Sequence, residues 1–170
     1  IIGGTVQSAT VTSSNASTVL VTGGAGFIGS HLVEALTAAG CQVTVLDNLS
    51  SGNLANLKHL DGKYTFYQED IRDPKALLAA AEKCDVIFHL AAVVSVPLTI
   101  ENPVKAAAVN EMGSLLVFET ARRQKVKRVV FSSSCAIYGD DPRLPKREDM
   151  LPKPMSPYAV QKLTAEHYAR

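Results

Sequence analysis

At 170 residues, with 46% hydrophobic content, no tryptophan and a formal net charge of +1, the chain has the material for one sizeable core and a single domain. That near-neutral balance argues against a basic nucleic-acid face or an acidic tail, and no apolar run approaches the length of a membrane span. Cys41, Cys84 and Cys135 are odd in number and show neither C-x-x-C spacing nor paired histidines, so no disulfide framework or metal centre is expected and a reducing, cytoplasmic setting fits.

Residues 1–16 are rich in Ser and Thr and carry no charge, which predicts an extension or vector-derived remnant outside the fold. The basic start and long apolar centre of a secretion signal are missing from them. From Ser17 onward strands and helices alternate. Val19-Leu20-Val21 predicts a buried strand, and Phe27, Ile28, Leu32, Val33 and Leu36 recur at helical spacing after a cluster of glycines. Gly24, Gly26 and Gly29 satisfy G-x-G-x-x-G, and Gly23, Gly26 and Gly29 satisfy the G-x-x-G-x-x-G variant. Such a turn needs glycine to bend tightly, to admit a pyrophosphate close to backbone, and to let helix and strand pack together. The amides at the helix N-terminus then face the phosphates. A second strand over Gln42–Leu46 delivers Asp47, eighteen residues past Gly29, where a carboxylate can chelate ribose hydroxyls and repel a 2′-phosphate, favouring NAD over NADP. Asp47-Asn48-Leu49-Ser50-Ser51-Gly52 follows as a polar loop, with a short segment around Leu54 to Leu57 after it.

The third strand is expected near Tyr64–Gln68 and ends in Glu69-Asp70-Ile71. Asp70 there has two readings, as acceptor of an adenine amino group beside Ile71 or as a cap for the next segment. Asp73-Pro74 supplies an N-cap and a first-turn proline for a helix whose apolar face holds Leu77, Leu78 and Ala81. Val86–Leu90 predicts a fourth strand, Pro103 to Gln124 a long helix, and Val129–Ser132 a fifth strand after a basic connection. Continuous apolar strands separated by helices imply an α/β fold, a Rossmann-type doubly wound parallel sheet covered on both faces.

The second chemical constellation begins at Phe131-Ser132-Ser133-Ser134 and is completed by Ser156-Pro157-Tyr158-Ala159-Val160-Gln161-Lys162. A helix opening at Pro157 places Tyr158 and Lys162 on one face. An ammonium near a phenol stabilises the phenolate and makes Tyr a base usable near neutral pH. Y-x-x-x-K alone is a common accident. Joined to a nucleotide-binding turn and a serine cluster at a strand end, it marks Ser134, Tyr158 and Lys162 as a candidate catalytic triad.

From Val19 to Arg170 the chain resembles the extended short-chain dehydrogenases/reductases of the NAD-dependent sugar-nucleotide epimerase type. The resemblance implies that Gly23, Gly26, Phe27, Ile28 and Gly29 surround the pyrophosphate. It puts Asp47, Asn48, Ser50, Ser51 and Gly52 around the adenosine, and Asp70 and Ile71 at the adenine. Leu90, Ala91, Ala92 and Val94, in the loop opening His89-Leu90-Ala91-Ala92, should border the cofactor, with Tyr158 and Lys162 at its reactive end. Ser95, Ser133, Ser134 and Tyr158 should meet a UDP-sugar. Val109, just before Asn110, stands where several relatives carry Asn or Thr against the cofactor, so that side-chain hydrogen bond is missing. His89 itself reads as a satisfied strand-end residue, not a catalyst.

The implied reaction is 4-epimerisation of a UDP-hexose or UDP-N-acetylhexosamine through a transient 4-keto sugar, with NAD regenerated and homodimerisation one assembly it allows. Versions with Ser95-Val96-Pro97 and Ser156-Pro157-Tyr158 are most similar to enzymes acting on UDP-N-acetylhexosamines. A 4,6-dehydratase would carry Asp-Glu after the catalytic Ser or Thr, and a decarboxylase commonly Glu at the second of those positions; here they are Cys135 and Ala136. A non-catalytic nucleotide-binding module would be expected to lose the triad, which is intact. In the family the chain continues past the catalytic helix into a sixth strand and a smaller sugar-nucleotide domain. The present sequence stops at Arg170, so the expectation is a truncated, N-terminal part.

Overall fold

A computed structural model of the chain describes residues 16–170, so all but the last residue of the expected extension lies outside the described residues. Strands β1 (Thr18–Thr22), β2 (Gln42–Leu46), β3 (Tyr64–Tyr67), β4 (Val86–His89) and β5 (Arg128–Phe131) form one parallel sheet in the order β3-β2-β1-β4-β5. Val19, Leu20 and Val21 put β1 at the centre because a continuously apolar strand must be covered on both faces. Register is what makes the sheet useful. Thr22 lies beside both Leu46 and His89, Leu46 beside Tyr67, and His89 beside Phe131, so all five strands finish in one row. The chain therefore turns out of the sheet at one edge at Gly23, Asp47, Leu90 and Ser132. Strand order reverses at β1, and in an open parallel sheet that switch point leaves a crevice beyond the strand ends.

Helix α1 (Phe27–Ala38) and a 3-10 helix (Leu54–Leu60) cover one face, packing Val33, Leu57 and Leu60 on Val19, Val21, Val43 and Val45. On the other face α2 (Pro74–Ala80) and α5 (Ser114–Arg123) set Leu77, Ala80, Val117 and Ala121 against Leu20, Leu46 and Ile87. Side chains alternate across a strand, so Val19 and Val21 serve one layer and Leu20 the other. The Rossmann-type doubly wound sheet is thus the architecture of the molecule. At the start of α2, Asp73 Oδ1 accepts from the Lys75 amide at 2.8 Å and the Ala76 amide at 3.3 Å, as its N-cap position requires.

The long helix expected from Pro103 differs in detail. It consists of α4 (Pro103–Ala107), a π turn over Ala108–Gly113 and α5, and the π turn swings Asn110 into the interior. Helix α3 (Val96–Glu101) was not expected, although Ser95 and Pro97 carry the same cap-plus-proline signal as Asp73-Pro74. A 3-10 turn over Cys135–Tyr138 precedes a loop that leads to α6 (Pro157–Tyr168), where the Ser156 hydroxyl accepts from the Ala159 amide at 3.2 Å. Among the described residues no helix is long and apolar enough to cross a membrane.

Candidate active site

The crevice beyond the strand ends is a cleft with a cavity volume of 490 Å³. Its floor is the turn from β1 to α1, with Gly23, Gly26, Phe27, Ile28 and Gly29 on the surface. Two of these glycines are fixed by space. Gly23 has φ +72°, and a Cβ there would stand 2.7 Å from the Ala91 amide nitrogen; a Cβ on Gly29 would collide with the Gly23 carbonyl and reach within 2.7 Å of Gly24 Cα. Backbone from β1, α1 and the loop after β4 meets here at distances only glycine permits.

The N-terminus of α1 is open to this floor. Its N-cap, Gly26, offers no side chain to the first-turn amides, and Phe27 and Ile28 are exposed. Unsatisfied amides at the positive end of a twelve-residue helix form a seat for an anion such as a pyrophosphate. Asp47 stands beside it, buried, with Oδ2 accepting from the Ala25 amide at 3.0 Å and Oδ1 from the Leu49 amide at 2.8 Å. Each oxygen keeps a lone pair for a further donor such as a ribose hydroxyl. Asn48, Ser50 and Ser51 continue the wall, whereas Gly52 lies behind Asp47, where a Cβ would come within 2.9 Å of the carboxylate.

Asp70 and Ile71 also border the cleft. The Asp70 carboxylate accepts from the Arg72 amide, from Arg72 Nε and Nη2, and from Asn48 Nδ2 at 2.8–2.9 Å, and the Arg72 hydrogen bonds hold it well below the usual carboxylate range. Four donors engage about all the acceptor capacity a carboxylate has. The Arg72 amide contact closes a local turn, and an adenine amino group at Asp70 would have to share the carboxylate with Arg72 and Asn48 or displace one of them.

The opposite wall comes from β4, β5 and α6. Leu90, Ala91, Ala92 and Val94 line it, as do Ser133, Tyr158 and Lys162. Lys162 is almost fully buried on α6; Nζ donates to the Ser132 carbonyl at 2.8 Å and stands 4.7 Å from the Phe131 ring centre and 5.9 Å from that of Tyr158. Burial pushes the Lys162 ammonium down to about 8. It shares a helix face with Tyr158, as the four-residue spacing required, while its hydrogen bond goes to Ser132 and not to the phenol. Ser133 donates from its hydroxyl to the Glu166 carboxylate, one turn further along α6.

Two expected residues are caps in the structure. Ser134, next to Ser133 of the wall, caps the 3-10 turn, its hydroxyl oxygen accepting from the Ala136 amide at 3.2 Å, and Ser95 caps α3 by accepting from the Leu98 amide at 3.4 Å. The wall further includes Val93 and Val109, at positions the family resemblance sets against the cofactor, and Leu46, Glu69 and Ser132, which sequence reasoning did not assign to it. It also missed the support behind the wall. Asn110 accepts at Oδ1 from the Val93 amide at 2.8 Å and donates from Nδ2 to the Val93 carbonyl at 3.0 Å and to Gln161 Oε1 at 2.8 Å. An asparagine in the middle of an apolar helical pattern was the available signal.

The sequence profile of the NAD dependent epimerase/dehydratase family matches residues 19–170. Among curated relatives, the UDP-glucose 4-epimerase of Mycolicibacterium smegmatis is 45% identical over 153 residues, which is 88% of this chain and 49% of that protein. The solved UDP-N-acetylglucosamine 4-epimerase of Methanobrevibacter ruminantium M1 superposes with a TM-score of 0.86 at 41% identity, covering 91% of this chain and 49% of that one. DesIV of Streptomyces venezuelae, a dTDP-glucose 4,6-dehydratase, superposes with a TM-score of 0.84 at 35% identity over 89% of this chain and 50% of its own. The chain spans about half the length of the curated relatives it matches.

Proposed function

Because the chain belongs to the NAD dependent epimerase/dehydratase family, we propose that it is the dinucleotide-binding, N-terminal part of a cytoplasmic UDP-sugar 4-epimerase. The observation that carries this reading is the meeting, in one cleft, of an uncapped helix N-terminus, the Asp47 carboxylate and the Tyr158–Lys162 face of α6. The residues fit NAD. The α1 amides would hold the pyrophosphate, Asp47 the adenosine ribose, and Lys162 the nicotinamide ribose. Bound NAD would supply reversible two-electron oxidation at sugar C4.

Tyr158 would take the proton of the sugar 4-hydroxyl and later return it to the same oxygen. A buried cation 5.9 Å from its ring favours the phenolate. Lys162 keeps most of its charge at neutral pH, and Phe131 and the Ser132 carbonyl hold it in place. Ser134 would hydrogen-bond the reacting oxygen: its hydroxyl accepts from the Ala136 amide, which leaves the proton free to be donated. In this reading, which takes the chain as about half of a protein the length of its relatives, the remaining contacts to the sugar nucleotide come from the rest of that protein, and a homodimer is compatible with it.

The DesIV likeness raises a 4,6-dehydratase as the second reading. Loss of the 6-hydroxyl needs an acid beside the catalytic hydroxyl residue, and Cys135 and Ala136 follow Ser134 instead. We therefore place epimerisation first. In the whole protein, UDP-N-acetylglucosamine and UDP-N-acetylgalactosamine should interconvert without net NADH release. Tyr158→Phe should lower turnover by at least roughly a hundredfold while NAD binding persists. A 4-keto-6-deoxy product, or retained activity in Tyr158→Phe, would overturn the assignment.

A further inference from the structure

His89 ends β4 almost completely buried, and both ring nitrogens are hydrogen-bonded: Nδ1 stands 2.7 Å from Thr22 Oγ1 and Nε2 stands 2.9 Å from Ser114 Oγ. The neighbours leave one proton arrangement. Ser114 Oγ also lies 2.6 Å from the Asn110 carbonyl oxygen, which can only accept, so the single Ser114 hydroxyl proton is committed there. Ser114 must then accept from His89 Nε2–H. In the neutral ring Nδ1 is bare and accepts from the Thr22 hydroxyl, whose oxygen is left to accept from the Ala91 amide at 3.4 Å. An imidazolium would reverse the Thr22 bond and strand a hydroxyl proton in a fully buried site. Burial lowers the imidazole to about 3, and the nearby Lys162 charge acts in the same direction.

The resulting chain runs with one polarity from the Ala91 amide through Thr22, His89 and Ser114 to the Asn110 carbonyl. Both ends grip the same wall of the cleft. Ala91 is at one end, pressed against the glycine turn at Gly23, and at the other the Asn110 side chain holds both backbone groups of Val93. We propose that His89, as the neutral Nε2–H tautomer, is a positioning residue that sets the loop of residues 90–94 against the glycine turn, and thereby the part of the cleft facing α6. This rests on reading the cleft as a dinucleotide site. His89 touches no reacting atom in this proposal; it acts through Ala91 and Asn110.

Nitrogen NMR of the ring in the ligand-free protein should show Nε2 protonated, Nδ1 bare and no titration between about pH 5 and 8. Calorimetry would then compare NAD with ADP, which occupies only the adenosine and pyrophosphate seats. His89→Phe keeps an aromatic ring without either hydrogen bond and should weaken NAD about tenfold while leaving ADP unchanged. His89→Gln, whose amide can accept from Thr22 and donate to Ser114, should recover NAD affinity. An Nδ1–H tautomer, equal losses for NAD and ADP, or unchanged NAD binding in His89→Phe would overturn the proposal. Wild-type protein that binds neither NAD nor ADP would instead overturn the dinucleotide reading, and this role with it. The tautomer measurement needs no variant, so a His89→Phe protein that fails to fold still leaves a decisive test.

Discussion

Asp47 reaches from the end of β2 across the glycine turn to the Ala25 amide, 22 residues earlier in the chain, with Oδ2 3.0 Å from the nitrogen. One carboxylate thus braces the turn and, in the proposed reading, faces the ribose seat. Removing it in Asp47→Ala should weaken NAD by about tenfold to a hundredfold, since hydrogen bonds to a charged group contribute more than neutral ones. The preference for NAD over NADP should narrow at the same time, because the repulsion of a 2′-phosphate is lost. Paired calorimetric titrations measure both, and an unaltered NAD/NADP ratio would contradict the assigned role.

Lys162 is displaced from 10.5 to about 8 by burial. Between those values the unfolded chain holds the proton and the folded chain does not, so stability rises with pH across the window. Below about pH 8 the folded protein carries the full desolvation penalty, on the order of 3 kcal/mol from the size of the shift. The difference in unfolding free energy between wild type and Lys162→Met should therefore increase by about 3 kcal/mol from pH 8 to 10.5, with other titrations cancelling in the difference. Denaturant melts at several pH values would show it; a flat difference would mean that the ammonium is not desolvated.

Gly29 and Gly26 belong to the same motif but not to the same packing. A Cβ on Gly29 meets unyielding backbone of Gly23 and Gly24, whereas one on Gly26 meets only the Gly23 carbonyl oxygen at 3.3 Å. Gly29→Ala should destabilise by about 1–3 kcal/mol, and Gly26→Ala clearly less. Thermal melts of the two variants side by side should reproduce that order.

Asn110→Ala removes the clamp on Val93 and leaves Gln161 without its partner. The expected cost is about 1–3 kcal/mol for each buried group left unsatisfied. Hydrogen exchange at the Val93 amide should quicken more than exchange in β1, since the loop is released while the sheet core is not. Uniform acceleration would instead indicate global destabilisation.

Much of this molecule is local chemistry and was therefore legible in the sequence. Apolar runs of strand length, glycines at fixed offsets, Asp73-Pro74 and Ser156-Pro157 each act within a few residues, and they place the five strands within a residue or two and the starts of α1, α2 and α6. The four-residue step from Tyr158 to Lys162 likewise determines a shared helix face, because helical geometry needs no other information. The tertiary structure decided everything that depends on partners distant in sequence. The strand-end row aligning Thr22, Leu46, Tyr67, His89 and Phe131 comes from pairing register, which no single strand encodes. Asp70 engages Arg72 and Asn48, Ser133 turns to Glu166, and Lys162 donates to Ser132, each selected by which groups the packed sheet brings within about 3 Å. His89 and Asn110 show the division most clearly. Their side chains determine how many hydrogen bonds each can make, but burial between sheet and helix determines which partners must satisfy them, because there a group left unpaired costs more than the bond itself is worth in water.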